Sequence, residues 1–285
     1  MALSKLSGDE QCIIFSKLCN RLDPGIAVAF SSASNELRAL TQAQLQQLRA
    51  DHEAAGALCR KLGLRSCKEL REAKTLSRMY PGGLNAADLA LLGTLGSMLP
   101  ALEELCLGSC SIPGSDGVQR LAAGLGAGSL RAMTVVELFG NVGDAGASAL
   151  AAAMGRGALP RLKRLSLSST AIGDAGLVAL APALRRQPAL ETLSLMNNPL
   201  GDEGLAALVA PPPPAGALPP PTAGLAKLEV LVLNNTQITY AGCAALAARL
   251  DNGALPALVL LNMHGSPASA AAKTAVGRAG LKVLL

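Results

Sequence analysis

AIGDAGLVAL, residues 171–180, is answered by PLGDEGLAAL at 199–208 and by NVGDAGASAL at 141–150. A reaction centre is normally assembled once from distant parts of a chain, so a phrase written three times points to a serial scaffold. Each phrase reads as a tight exit from a strand followed by a helix. Ile172 plugs a core, Gly173 permits a bend, and Asp174 is placed to cap the helix, with Asp144 and Asp202 at the equivalent positions. Leu177, Leu180 and Leu184 recur at helical spacing and form the stripe to be buried.

Upstream of each phrase lies a short alternating segment. Six of them align: LEELCLGSC from Leu102, MTVVELFGN from Met133, LKRLSLSST from Leu162, LETLSLMNN from Leu190, LEVLVLNNT from Leu228 and LVLLNMHGS from Leu258. Their central anchors, Leu105, Val136, Leu165, Leu193, Leu231 and Leu261, are 31, 29, 28, 38 and 30 residues apart. The last motif position holds Cys110, Asn141, Thr170, Asn198, Thr236 or Ser266, all able to hydrogen-bond loop backbone. Leu-Pro pairs at 99–100, 159–160 and 255–256 stop a helix and lead into the next strand. The second unit is one residue short between Leu138 and Val142, which predicts a distorted turn, and the final GSPASAAAKTAVGRAGLKVLL reads as a C-terminal cap.

The pattern L-x-x-L-x-L-x-x-N at this period resembles leucine-rich repeat proteins of the ribonuclease-inhibitor-like subtype over roughly Leu84 to Leu285. The resemblance implies an α/β solenoid, with a parallel sheet on the concave side and helices outside, and a role in binding proteins. It also implies a third option, regulation of a small GTPase, which some relatives of this subtype perform.

Composition sets the limits around that reading. The chain has 285 residues, half of them hydrophobic, with no Trp, two Tyr and three Phe, so aromatic platforms for nucleic-acid bases are not expected. Residues 1–80 carry 12 Lys+Arg against 8 Asp+Glu and the remainder 13 against 12, which leaves the repeats nearly neutral and unlike a nucleic-acid binder. Seven scattered Cys fit free thiols in a reducing compartment, and neither a signal peptide nor a long apolar span is read, giving an intracellular protein, cytoplasmic or nuclear. With two His, His52 and His264, and no phosphate loop, dinucleotide fingerprint or nucleophile elbow, the reading is non-enzymatic, without cofactor. Cys106-x-x-x-Cys110 supplies two thiols where structural zinc needs four ligands, so no metal is assigned.

Function is expected on the inner sheet face, where residues flanking the anchors vary while the anchors do not. The candidate partner-binding residues are Glu104, Glu137, Phe139, Arg164, Met196, Val230, Val232, Leu260 and His264. Phe139, Met196, Val230, Val232 and Leu260 read as one apolar tract, with Glu104, Glu137 and Arg164 toward a charged end. The opposing reading has several of these shielded and the contacts elsewhere. The Pro-rich stretch 210–224, APPPPAGALPPPTAG, is either a tolerated insertion or a ligand for an SH3, WW or profilin-like groove.

Residues 1–80 are read as a small helical segment, and 81–285 as the solenoid of about six repeats. Leu6, Asp9-Glu10, Ile13-Ile14-Phe15, Leu18, Leu22-Asp23-Pro24, Val28 and Phe30 fall in an order that resembles an F-box. That resemblance implies docking to the adaptor of a cullin-type ubiquitin ligase through Ile14, Phe15, Leu18, Leu22 and Pro24. The alternative is a helical cap over the first repeat. Beyond it, a helix is expected to end at Gly63, and SCKELREAKTLSRM is expected to form another, opened by a Ser66/Glu69 capping box.

Overall fold

The computed structural model describes residues 6–78, 83–108, 114–210, 225–268, 270–277 and 280–284. Two compact units result, Met1–Ala73 and Lys74–Leu285.

The first unit is helical: α1 Gly8–Leu18, α2 Gly25–Ser32, α3 Asn35–Lys61 and α4 Cys67–Glu72. The acidic Glu10 has a local task. Its carboxylate accepts from the Ser7 N–H at 2.8 Å while its own N–H donates to Ser7 Oγ at 3.3 Å, a full capping box on α1. Those bonds to Ser7, the backbone one foremost, hold the Glu10 carboxyl below the usual range. The core gathers Phe15, Ala27 and Leu48, with Phe15 and Phe30 ring centroids 6.2 Å apart. An Arg21–Asp51 ion pair at 2.8 Å and a bond from His52 Nδ1–H to the Arg21 carbonyl, also 2.8 Å, tie the turn after α1 to α3. Gly63, at φ +75°, closes α3 as expected, with Leu64 N–H donating to Cys59 O at 2.8 Å. The Ser66 cap on Glu69 N–H forms at 3.2 Å, but the Glu69 carboxylate turns to Arg65 N–H at 2.7 Å, so only half of the expected box is made.

Among its described residues the second unit forms one sheet of eight parallel strands in chain order: β1 Thr75–Arg78, β2 Glu104–Leu107, β3 Val135–Leu138, β4 Arg164–Ser166, β5 Thr192–Ser194, β6 Val230–Val232, β7 Leu260–Asn262 and β8 Lys282–Leu284. Between them run α5 Ala86–Leu95, α6 Gly114–Gly124, α7 Gly143–Gly155, α8 Asp174–Leu184, α9 Asp202–Leu208, α10 Tyr240–Asp251 and α11 Ala270–Ala275. The anchors pair in one register, Leu76 to Leu105 to Val136 and onward to Val283, and the first seven are buried. Strands sit about 4.8 Å apart and packed helices about 8–10 Å, so the stack curves with the sheet on its inner side.

Two strands lie outside the six expected units. β1 falls in the segment expected to be helical through residue 80, and β8 in the segment read as a cap. In the common register, Ala73 and Gly280 stand where the other repeats have their first Leu or Met, so the leucine signature fades while the alternation survives. The Leu-Pro turns also differ from expectation. Leu159 and Leu255 adopt left-handed φ of 56° and 49°, and Leu130, which no proline follows, does the same at 52°. The tight helix-to-strand turn, with its buried leucine, imposes that conformation.

The repeated aspartate also works differently from expectation. Asp174 opens α8 without capping it, and its Oδ1 accepts from Gly201 N–H at 2.7 Å and Gly204 N–H at 2.8 Å in the following repeat. Asp144 likewise accepts from Gly173 N–H at 2.7 Å, and Asp202 from Thr239 N–H at 2.8 Å. Each carboxylate therefore caps its neighbour's helix. The second glycine of the phrase is the complement: a Cβ on Gly176 would lie 2.5 Å from Asp144 Oδ1, and one on Gly204 2.7 Å from Asp174 Oδ1. Asp174→Ala is expected to cost about 1–3 kcal/mol through the two unmet N–H groups, read by urea denaturation. A loss below about 0.5 kcal/mol would contradict the shared cap.

Candidate functional site: the inner sheet face

Register fixes which side chains share the inner face. One row runs Thr75, Glu104, Val135, Arg164, Thr192, Val230, Leu260, Lys282, and the next Ser77, Cys106, Glu137, Ser166, Ser194, Val232, Asn262, Leu284. Just past the strands follow Phe139, Ser168, Met196, Asn234 and His264. Of the expected residues, Glu104, Arg164 and His264 are exposed, and Glu137, Phe139, Met196, Val230, Val232 and Leu260 are half-buried. The end columns Thr75, Ser77, Lys282 and Leu284 belong to the same face and were missed with their strands; the alternation in TLSR and KVL was their only signal.

The apolar tract is not continuous. Ser166 and Ser168 hydroxyls lie 3.0 Å apart and Ser168 and Ser194 2.9 Å apart, forming a hydrogen-bonded ladder between Phe139 on one side and Met196 and Val232 on the other. What remains contiguous is Val230 and Val232 on β6 with Leu260 opposite Val230, extended toward β8 by Leu284 at 38 % exposure.

The charged end is built on β2 to β4. Burial, foremost, then the Glu137 charge and the hydrogen bond to it, push the Cys106 thiol up to about 11, with Glu104 adding and Arg164 opposing. At neutral pH this sulfur is a protonated donor, the reverse of an activated nucleophile. Thr75 Oγ1 donates to Glu104 at 3.4 Å.

The loops that follow the strands are rigidly held. Asn198, at the last motif position, is buried, and its amide bonds Thr170, Ile172, Leu167, Leu195 and Met196. Thr170, Thr236 and Ser266 donate to the carbonyls of Leu167, Leu233 and Met263, as the motif predicts. Asn141 is exposed instead: in the shortened unit Gly140 and Gly143 take φ of 105° and 61°, and Gly140 N–H donates to Ser169 O at 3.3 Å. Cys110 and residues 211–224 of the Pro-rich stretch lie outside the described residues.

The adaptor candidates of the first unit divide. Phe15 and Leu22 are interior residues, 0 % and 4 % exposed, so in this fold they pack the unit itself and do not face a partner. Ile14, Leu18 and Pro24 are half-buried, while Ile13 and Ile26 stand out at 60 % and 64 % exposure. Among the described residues no cluster of three His, Cys, Asp or Glu side chains is arranged to hold a metal, and no helix is long and apolar enough to cross a membrane.

Residues 159–181, 188–209 and 224–247 match the family described as Leucine Rich repeat. No curated protein matches the chain. Among solved structures, the yeast Rad7 and Elc1 complex aligns at 15% identity and a TM-score of 0.37, covering 88% of this chain and 86% of that one. An internalin from Listeria monocytogenes aligns at 15% and 0.33, covering 70% of each chain. A Bacteroides fragilis protein aligns at 15% and 0.30, covering 83% and 82%. Residues 159–181, 188–209 and 224–247 are thus matched as leucine-rich repeats, and the strand-and-helix units in one register give the second unit a leucine-rich repeat solenoid fold.

Proposed function

We propose that the chain is a non-catalytic interaction module whose inner sheet face docks a protein partner. The observation that carries this is the two-row register: aliphatic anchors, seven of the eight buried, hold a face whose side chains change from strand to strand, with the apolar Val230, Val232 and Leu260 on β6 and β7 and the charged Glu104, Glu137 and Arg164 on β2 to β4. An apolar patch together with charged residues on the same face is consistent with the mixed composition of a protein interface. Asn234 adds a nearly inaccessible Oδ1 with no donor among the described residues.

Replacing Met196 and Val232 together by Glu is expected to reduce partner capture by the full chain at least about 30-fold, since charges in an interface core cost 2 kcal/mol or more. Both side chains are half-buried at the surface, so the melting temperature should move by only a few degrees. Undiminished capture of the same partners would remove this face from the interface.

The second reading is the F-box-like one, in which the first unit docks a ubiquitin-ligase adaptor. It is favoured by the exposed Ile13 and Ile26 alongside the half-buried Ile14, Leu18 and Pro24. Purified adaptor should bind the full chain and lose binding on Ile13→Asp with Ile26→Asp. No binding by the unaltered chain rejects the reading and leaves the inner-face proposal untouched.

A further inference from the structure

The first unit holds a pair of thiols that neither the repeat architecture nor the inner face uses. Cys59, in the last turns of α3, and Cys67, the first residue of α4, place their sulfurs 4.0 Å apart, both buried at 1 % and 7 % exposure. Among the described residues no other two cysteine sulfurs are in contact. The chain between them is held in a fixed reversal. Leu64 N–H donates to the Cys59 carbonyl at 2.8 Å, Gly63 N–H to Arg60 O at 3.1 Å, Arg65 N–H to Glu69 at 2.7 Å and Glu69 N–H to Ser66 Oγ at 3.2 Å. These bonds organise the loop independently of the sulfurs and present one thiol to the other.

We propose that Cys59 and Cys67 form a reversible disulfide that acts as a redox-sensitive staple between α3 and α4, exchanging with low-molecular-weight disulfides. The step balances without a metal or flavin. The Cys67 thiol, the more exposed of the two, loses its proton and attacks one sulfur of the small disulfide RSSR, expelling RS⁻, which takes up that proton as the first RSH. The Cys59 thiolate then attacks the Cys67 sulfur, the second RSH leaves with the Cys59 proton, and the Cys59–Cys67 bond closes. The two protein thiols are oxidised by two electrons, and RSSR is reduced to two RSH.

Burial and the neighbouring Cys67 push the Cys59 thiol up to about 12, so Cys59 stays protonated at neutral pH, and both sulfurs are shielded from solvent in the closed fold. Attack therefore waits on transient opening of the six-residue α4, whose first turn carries Cys67. Closing the bond requires the sulfurs to approach from 4.0 Å to about 2.05 Å. The closed ring is short, with eight positions separating its ends, and it restrains the unfolded chain.

The test equilibrates the full chain with glutathione at graded ratios of oxidised to reduced form, then alkylates in acid and maps peptides without reduction. The expected product is a linked pair of peptides containing Cys59 and Cys67, two hydrogens lighter than the reduced sum. It should form before Cys12, Cys19, Cys106 or Cys243 carries glutathione. The oxidised chain should also melt about 5 °C or more above the reduced chain, a difference that Cys67→Ser abolishes. Cys59 and Cys67 remaining alkylatable while other cysteines react, or ending as two separate glutathione adducts, overturns the proposal. The peptide map is read on the unaltered chain, so it decides even if the variant does not fold.

Discussion

Asn198→Ala is expected to lower stability by about 3–5 kcal/mol, the largest loss from any single polar side chain in the repeats. Asn198 is 2 % exposed and works in both directions. Its Oδ1 accepts from Thr170 N–H at 3.1 Å, Thr170 Oγ1 at 3.1 Å and Ile172 N–H at 3.0 Å. Its Nδ2 donates to the carbonyls of Leu167 at 2.6 Å, Leu195 at 2.9 Å and Met196 at 3.2 Å. Truncation strands two backbone N–H groups of the fully buried Thr170 and Ile172, and each such loss costs about 1–3 kcal/mol. The carbonyl of Leu167 is less affected, because Thr170 Oγ1 donates to it as well at 2.6 Å. Urea denaturation gives the global loss, and hydrogen exchange should show the amides of Thr170 and Ile172 deprotected first. A loss below 1 kcal/mol with those amides still protected would mean the loops hold without the amide.

Gly93→Ala is the second large effect, about 2–4 kcal/mol, and its cause is steric. A Cβ at Gly93 would overlap the carbonyl oxygen of Leu121 and lie 3.1 Å from its carbon and 3.2 Å from the Gly124 Cα. Reciprocally, a Cβ at Gly124 would lie 2.6 Å from Thr94 N. Helices α5 and α6 thus touch backbone to backbone, and no rotamer change relieves a clash with main chain. Gly126 provides the control, since a Cβ there meets only Ser129 Oγ at 3.9 Å, and Gly126→Ala should change stability by less than about 1 kcal/mol. Equal effects at Gly93 and Gly126, measured by denaturant midpoint, would contradict the close packing of α5 on α6.

The sequence made the solenoid legible because its signals repeat. Leu105, Leu165, Leu193 and Leu231 mark strands by their neighbours' alternation, and Leu177, Leu180 and Leu184 mark the packed face of α8, all of them buried as read. Less legible was anything depending on the neighbouring repeat. Asp174 stands next to its own helix in the chain and so read as that helix's cap, yet its hydrogen bonds go to Gly201 and Gly204. Nor does the chain order show why glycine stands at 176 and 204, where the carboxylate of the preceding repeat packs against each. Likewise Phe139 and Met196 appeared as one apolar tract because alternation shows which face a residue takes but not what separates two strands of it. In the first unit, Phe15 and Leu22 carry the residue types of a docking motif, and equally those of a small helical core, which is where they lie.

The central claim is that the partner sits on the inner face of the sheet, and photo-crosslinking tests it most directly. A photoreactive residue would be introduced at Ser194, half-buried on β5 of that face, and in a second chain at Val178, which is 39 % exposed on the outer helix α8. Irradiation with co-purified partners should give covalent adducts from position 194 and none from position 178. Adducts from position 178 alone would place the interface on the helices and contradict the inner-face assignment.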